Sequence, residues 1–385
     1  MNALKPKGAG RLIALDAARG LAVIGMFIQH FALNGINGSL VSGNTTLLFI
    51  LCGGISYSIM FGRMTQREND IKPFRARMLA RAVFVDLIGY LLIMLNGPFG
   101  VILPAYAGLF VLALVLIRRS TRTLFVTAGA MLLIAPPLMI LGGSLFSGAF
   151  LLGDLAGGPM SALALAPTFV LGMALGRLDL TSLRSGITLA ASGLFFFIAG
   201  RIMAVHVLPG WSAAFEQWLV AAADPAHAQP PDEYATWPLN TNGPLWHMLF
   251  SWAPHSASTF QTATGTGLAV LVLGLCGLIA KKAAALLSPF AAVGRVSLTL
   301  YAAQFVVVWI LGLNGIESGL GEVPFGDGLV AIGVVAAGWL LTRLPGGPLE
   351  TIMRRFDRLF VGSSAVSPSK KTALAEKSGT VIQGE

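Results

Sequence analysis

Apolar runs recur along the chain from residue 12 to residue 342, separated by polar breaks. Ten of them read as helices: 12–34, 45–62, 82–96, 100–117, 124–142, 161–177, 186–207, 261–280, 293–313 and 327–342. A bilayer core about 30 Å thick needs about 20 apolar residues in a helix. Several runs are nearer 16, so their ends lie within a few positions of these bounds. The pattern predicts an all-α polytopic membrane protein with one transmembrane domain over 1–345. Beyond it, Leu349, Ile352, Met353, Phe356, Leu359 and Phe360 alternate with Arg354, Arg355 and Arg358. That spacing predicts an amphipathic helix over 346–360 lying on the inner membrane surface. Residues 361–385 are Ser-, Ala- and Lys-rich without apolar period, which predicts a disordered cytoplasmic tail.

The first run breaks its own pattern. Within 12–34 it carries Asp16, Arg19 and His30. A charge at the centre of a membrane helix costs roughly 2.5–3.5 kcal/mol on insertion scales, so such residues need a partner or a purpose. Arg19 follows Asp16 by three residues and His30 follows Arg19 by eleven. Eleven residues make close to three turns, so the three share one stripe, with Arg19 and His30 roughly 16 Å apart along the axis. Such a stripe faces protein or water, and predicts that this helix lines a cavity running through much of the membrane. The run is also too long for a signal-peptide core and holds Arg19 inside it, so it reads as a retained helix.

Charge gives the orientation. Outside the runs, Lys and Arg fall only in alternate loops: Lys5, Lys7 and Arg11; Arg63 to Arg81; Arg118, Arg119 and Arg122; Arg177 and Arg184; Lys281 and Lys282; then Arg343 onward. The intervening loops hold Asp154, Glu216, Asp224, Asp232, Glu233, Glu317 and Glu322 instead. Cytoplasmic loops carry the excess of Lys and Arg, so both termini are expected in the cytoplasm. The net charge of +9 then reflects topology and contact with anionic lipid, and no nucleic-acid partner is expected.

Composition changes the picture little: 55% of residues are hydrophobic and 11% charged, as a membrane chain requires. Cys52 and Cys276 both fall within apolar runs and read as small packing hydrophobes. Cys-x-x-Cys, His-Glu-x-x-His, Walker and Rossmann patterns are missing, so no metal site is expected. Gly53–Gly54, Gly172, Gly176 and the glycines of 265–277 read as close helix packing. The outer loop 208–260 is rich in Trp, Pro and acid: Trp211, Trp218, Trp237, Trp246 and Trp252, with His247 and His255. It reads either as an aromatic belt at the interface or as a lid whose Trp faces stack on sugars.

The segment Arg11-Leu-Ile-Ala-Leu-Asp16-Ala-Ala-Arg19-Gly20, followed by Met26 and His30, resembles the opening of the transmembrane acyltransferase superfamily. That group includes heparan-α-glucosaminide N-acetyltransferase and bacterial acyltransferases of envelope polysaccharides. Leu48-Phe49 through Gly53-Gly54-Ile55-Ser56, Gly294-Arg295-Val-Ser297-Leu298-Thr299-Leu-Tyr301-Ala-Ala-Gln304, and Gly347-Pro348-Leu349-Glu350 resemble a bacterial branch known mainly as a domain of unknown function. In the envelope enzymes an Arg and a His with ten residues between them mark the first helix, as Arg19 and His30 do here. Where those enzymes carry Arg-Arg-x-x-Arg, this chain has Arg75, Arg77 and Arg81. The resemblance implies a cytoplasmic acyl-CoA donor, acetyl-CoA in the simplest case, and a glycan or glycolipid acceptor outside a bacterial inner membrane. No cofactor would be held permanently, and a homo-oligomer is compatible with it.

These residues admit a definite chemistry. Arg19, near the inner end, would orient the donor with Asp16 as its counter-ion, and Arg75, Arg77, Arg81, Arg295, Tyr301 and Gln304 would line the donor path. His30, near the outer end, would act as general base or take the acyl group itself. His255 is the reserve base, and Arg201 could face an anionic acceptor. Set against this are a structural Asp16–Arg19 pair and a histidine that merely sits at the interface. At the level of the whole chain the rivals are a transporter or flippase, and a non-catalytic membrane scaffold.

Overall fold

The structure is a computed structural model that describes residues 12–68, 71–146, 149–222, 243–313, 319–344 and 346–360. Lys5, Lys7, Arg11, the Trp237-bearing middle of the 208–260 segment with its Asp224, Asp232 and Glu233, Glu317, and the tail 361–385 lie outside the described residues. Among the described residues the regular elements are all helical. In chain order they are α1 Ile13–Phe31, α2 Gly38–Val41, α3 Asn44–Glu68, α4 Lys72–Ile93, α5 Leu103–Leu116, α6 Thr121–Leu145 and α7 Phe150–Ala156. They continue with α8 Ala162–Leu175, α9 Leu183–His206, α10 Leu208–Ala222, α11 Thr259–Arg295, α12 Ser297–Leu313, α13 Gly326–Arg343 and α14 Pro348–Phe360.

Nine of the ten apolar runs each fall on one helix, and the run 293–313 spans the end of α11 and α12. Six helical stretches are long and apolar enough to cross a membrane: Ile13–Phe31, Gly38–Thr65, Thr121–Leu145, Leu183–His206, Thr259–Arg295 and Gly326–Arg343. The apolar helices α5, α8 and α12 are shorter, and α4 opens with Lys72, Arg75, Arg77 and Arg81 before its apolar part. The protein is a multi-pass membrane protein on this composition. Four helices start at a serine whose hydroxyl accepts a backbone N–H: Ser120 from Thr123, Ser161 from Ala164, Ser182 from Ser185 and Ser258 from Gln261. Each such cap satisfies one of the donors that a helix start leaves open.

Two element boundaries depart from the apolar pattern. α11 runs for 37 residues and bends at Ala283 (φ −147°, ψ 53°), just after Lys281 and Lys282. Its second part is apolar because Leu287, Ala291, Ala292 and Val293 are buried, so the expected run 293–313 joins the end of α11 to α12. The 208–260 segment, expected as loop, contains α10 and a 3₁₀ turn at Trp246–Phe250.

Small residues set the helix pairing. The most extensive contacts join α9 to α11, α1 to α11, and α3 to α8. A Cβ at Gly20 would overlap the Phe290 carbonyl, and one at Gly294 the Asp16 carbonyl, so α1 and α11 meet backbone to backbone. Gly54 and Gly172 meet the Phe169 and Leu51 carbonyls in the same way between α3 and α8, as Gly193, Gly267 and Gly274 meet backbone or Cβ atoms between α9 and α11. Without a hydrophobic drive between helices in lipid, such close approach is what dispersion and packing require.

α14 docks under the bundle through polar groups. Glu350 accepts from the Leu298 and Thr299 backbone N–H groups at 2.8 and 3.2 Å, and from the Thr299 hydroxyl at 2.5 Å. It thereby caps the N-terminus of α12. Thr299 Oγ1 in turn accepts the Leu349 N–H at 3.1 Å. The two segments quoted above for their resemblance, around Ser297 and around Glu350, are thus one structural joint.

Candidate functional site

Polar side chains from several helices meet at two levels along α1. At the level nearer its start, Arg19 Nη1 lies 3.5 Å from Asp16 Oδ1, and Nη2 donates to Ser56 Oγ on α3. The Ser56 hydroxyl donates to the Cys52 carbonyl at 2.7 Å. Asp16 is buried and the Arg19 side chain is nearly so, which makes this pair a bridge between α1 and α3. A guanidinium can be kept there because its counter-ion and a hydroxyl acceptor are already in place.

At the far end, His30 Nδ1 lies 3.1 Å from Gln304 Oε1 on α12. A carboxamide oxygen only accepts, so Nδ1 carries the proton of this contact. The imidazole stacks on Phe99 with centroids 3.9 Å apart and planes 8° from parallel, and Phe305 meets it edge-on at 6.3 Å. His30 is held by two aromatic rings and one amide. Gln304 is fully buried, and its Nε2 has no hydrogen-bond partner among the described residues.

The loop histidine joins the same end of the bundle. Gln29 Nε2, one residue before His30, lies 3.0 Å from His255 Nε2. An amide nitrogen only donates, so His255 accepts at Nε2 and is neutral. Burial pushes its pKa below the usual histidine value, in keeping with that role. Gln29 is itself anchored by Thr45, whose hydroxyl reaches its Oε1 at 3.5 Å. His255 has φ +60°, a left-handed conformation uncommon outside glycine, which aims the ring inward from the turn before α11.

Between the two levels the space is filled with rings. Phe305 packs on Tyr301 at 5.2 Å, Tyr301 on Phe49 at 6.2 Å, and Phe49 on Tyr106 at 5.8 Å. The Tyr301 hydroxyl accepts the Ile102 N–H at 2.9 Å, and Tyr106 closes over Gly53, where a Cβ would overlap its hydroxyl. The cavity expected along α1 is therefore occupied by a ladder of aromatic side chains. A donor arm reaching from Arg19 to His30 requires these rings to move.

The basic candidates separate. Arg75 is exposed. Arg77 sits half-buried against the Met64 sulfur at 3.2 Å, and its Nε has no partner among the described residues. Arg81 is committed to α14: its Nε and Nη2 each lie 2.8 Å from Asp357 Oδ2. Arg295 is exposed at the end of α11. Tyr301 and Gln304 are buried in the bundle, next to His30 and not beside the arginines.

Several residues of this network were not anticipated. Asp357 falls on the apolar stripe of α14, in step with Leu349, Met353 and Phe360, and an acid on such a stripe is the signal that it is buried and paired. Ser56 lies in a quoted motif without an assigned role. Asp86 interrupts the run 82–96, and Tyr90, one turn further, donates to Asp154 at 2.6 Å. Gln29 gave no signal in the sequence, since a lone amide beside a histidine has many uses. Among the described residues no cluster of His, Cys, Asp and Glu is arranged to hold a metal ion.

Fold and site together define an all-helical, multi-pass membrane protein with two polar levels on its first helix. Residues 238–359 match the model of a family described as a protein of unknown function (DUF418). The matched part is similar to that family over His255, α11, α12, α13 and most of α14, and so contains the Glu350 joint. No curated protein and no solved structure matches the chain.

Proposed function

We propose that the chain crosses the bacterial cytoplasmic membrane ten times with both termini inside, and that it transfers an acyl group. The donor is a cytoplasmic CoA thioester, acetyl-CoA in the simplest case, and the acceptor is an envelope glycan or glycolipid at the outer face. The orientation rests on the alternation of Lys and Arg between loops. The chemistry rests above all on His30, whose Nδ1 is fixed by Gln304 so that Nε2 is left to take a proton. Its spacing from Arg19, and the resemblance carried by that spacing, support the same reading.

In this reading the acceptor hydroxyl or amine attacks the thioester carbonyl while His30 Nε2 takes its proton, and the CoA sulfur leaves as thiolate. Arg19 orients the thioester arm, with Asp16 and Ser56 holding the guanidinium. Arg75 and Arg77 remain for the donor phosphates, since Arg81 is neutralised by Asp357. His30→Ala should lower transfer by about 10²–10⁴-fold, with donor binding and thermal stability little changed. Full transfer in His30→Ala with loss in His255→Ala would move the base to the loop. A cysteine placed at Ser363 should resist an impermeant reagent in intact cells; labelling there would invert the topology.

The aromatic ladder favours a second reading, a transporter or flippase gated by those rings. It predicts movement of intact substrate across vesicles without any acyl donor.

A further inference from the structure

A polar pocket opens at the end of the bundle that holds His30, between the start of α3, the last turns of α9 and the start of α11. It encloses about 70 Å³ and is lined by Ser42, Asn44, Arg201, Trp252, Gln261 and Thr264, among others. Arg201 lies over the Trp252 ring, 5.9 Å from its centroid, and forms no ion pair among the described residues. No loop at this end of the bundle, namely 35–44, 97–99, 143–160, 208–260 and 314–326, contains Lys or Arg. Arg201 is thus an isolated cation on an acidic face.

Gln261 supplies a second observation. Its residue is 7% exposed, and its side chain lines the pocket beside Arg201 and Thr264. Gln261 lines this pocket and also a smaller cavity of about 10 Å³, room for one water, on whose wall His255 lies. Pro254 lines the first and His255 the second, so the two spaces adjoin at this pair of residues.

We propose that Arg201, Trp252 and Gln261 form an anion-binding subsite for a phosphate or carboxylate attached to a sugar or lipid head group. The guanidinium, 5.9 Å from the indole centroid, offers a planar pair of donors suited to bidentate oxyanions. The Gln261 amide adds a neutral donor to the lining. A space several times that of one water admits such a head but not a whole sugar ring, so the rest of the ligand lies outside or toward His255. The inference rests on the outward orientation given above and, for its use as an acceptor subsite, on the transferase reading.

The test needs neither acyl donor nor turnover. The full-length protein in phosphatidylcholine nanodiscs is titrated with glucose 1-phosphate, glucuronate and, as the neutral control, glucose. Binding of an anionic sugar but not glucose is expected, weakened roughly ten- to a hundredfold in Arg201→Gln, the usual effect of losing a charged hydrogen bond. Arg201→Lys should fall between, since it keeps the charge and loses the fork, and Gln261→Met should weaken binding several-fold. If the soluble anions fail but phosphatidylglycerol is retained through purification in an Arg201-dependent way, the subsite stands and its ligand is a lipid head group. Equal affinity of wild type and Arg201→Gln for every anionic probe, with both proteins melting alike, would overturn it. His30→Ala should leave this binding unchanged, so loss of the catalytic reading and loss of the subsite are told apart.

Discussion

Removing the Asp357 carboxylate should release α14 from the bundle. Asp357 is 3% exposed and receives both Nε and Nη2 of Arg81 at 2.8 Å, while the Arg81 side chain is 18% exposed. In Asp357→Ala the guanidinium keeps its burial and loses its counter-ion. Breaking a buried pair from one side costs about 3–5 kcal/mol, and partial access of Arg81 to water brings this nearer 2–3 kcal/mol. The Glu350 contacts to α12 remain, so the bundle itself should hold. Arg354, Arg355 and Arg358 are already exposed, and releasing α14 frees their backbone to take the extended form that trypsin cuts. Where reclosure outpaces cleavage, the cutting rate follows the open population, and 2–3 kcal/mol corresponds to roughly 30- to 150-fold faster cleavage. Asp357 Oδ1 has no partner among the described residues, so the pair carries an incompletely compensated desolvation cost. The double variant Arg81→Met/Asp357→Leu should therefore recover most of the protection. Wild-type cleavage rates in Asp357→Ala, or a double variant as labile as the single one, would refute the assignment of α14 docking to this pair.

Three further outcomes follow from the same contacts. Gly294→Ala inserts a methyl against the Asp16 carbonyl and should lower the melting temperature by the equivalent of about 1–3 kcal/mol, whereas Gly129→Ala, with open space around it, should be neutral or better. Glu350→Gln keeps the shape but loses the charge that caps α12; a loss of about 1–2 kcal/mol in thermal melting is expected, and no change would remove the capping role. His255 has its pKa lowered by burial, so its neutral form is favoured in the folded protein; the stability this gives is present above the usual value near 6.5 and is lost as pH falls through the lower folded value. Wild type should thus lose more melting temperature than His255→Gln between neutral pH and pH 5, and parallel curves would contradict the buried neutral ring.

Composition and period carried the architecture. The ten apolar runs lie on helical residues, because backbone hydrogen bonding in lipid leaves an apolar stretch of that length no other form, and the amphipathic segment 346–360 contains α14. The stripe of Asp16, Arg19 and His30 was also legible, since the helical repeat alone puts them on one face and the cost of an intramembrane charge turns that face toward protein. Tertiary structure decided what each residue meets there. Ser56 and Gln304 come from helices 37 and 274 residues away from their partners in sequence, and no local pattern encodes such pairings. It also divided the arginines, giving Arg81 to Asp357 and leaving Arg75 and Arg295 exposed, and it filled the interval along α1 with Phe49, Tyr106 and Tyr301. Periodicity reports which face of a helix is wet or dry; partner identity depends on which helices the glycines allow to touch, and that is settled only when the whole bundle packs.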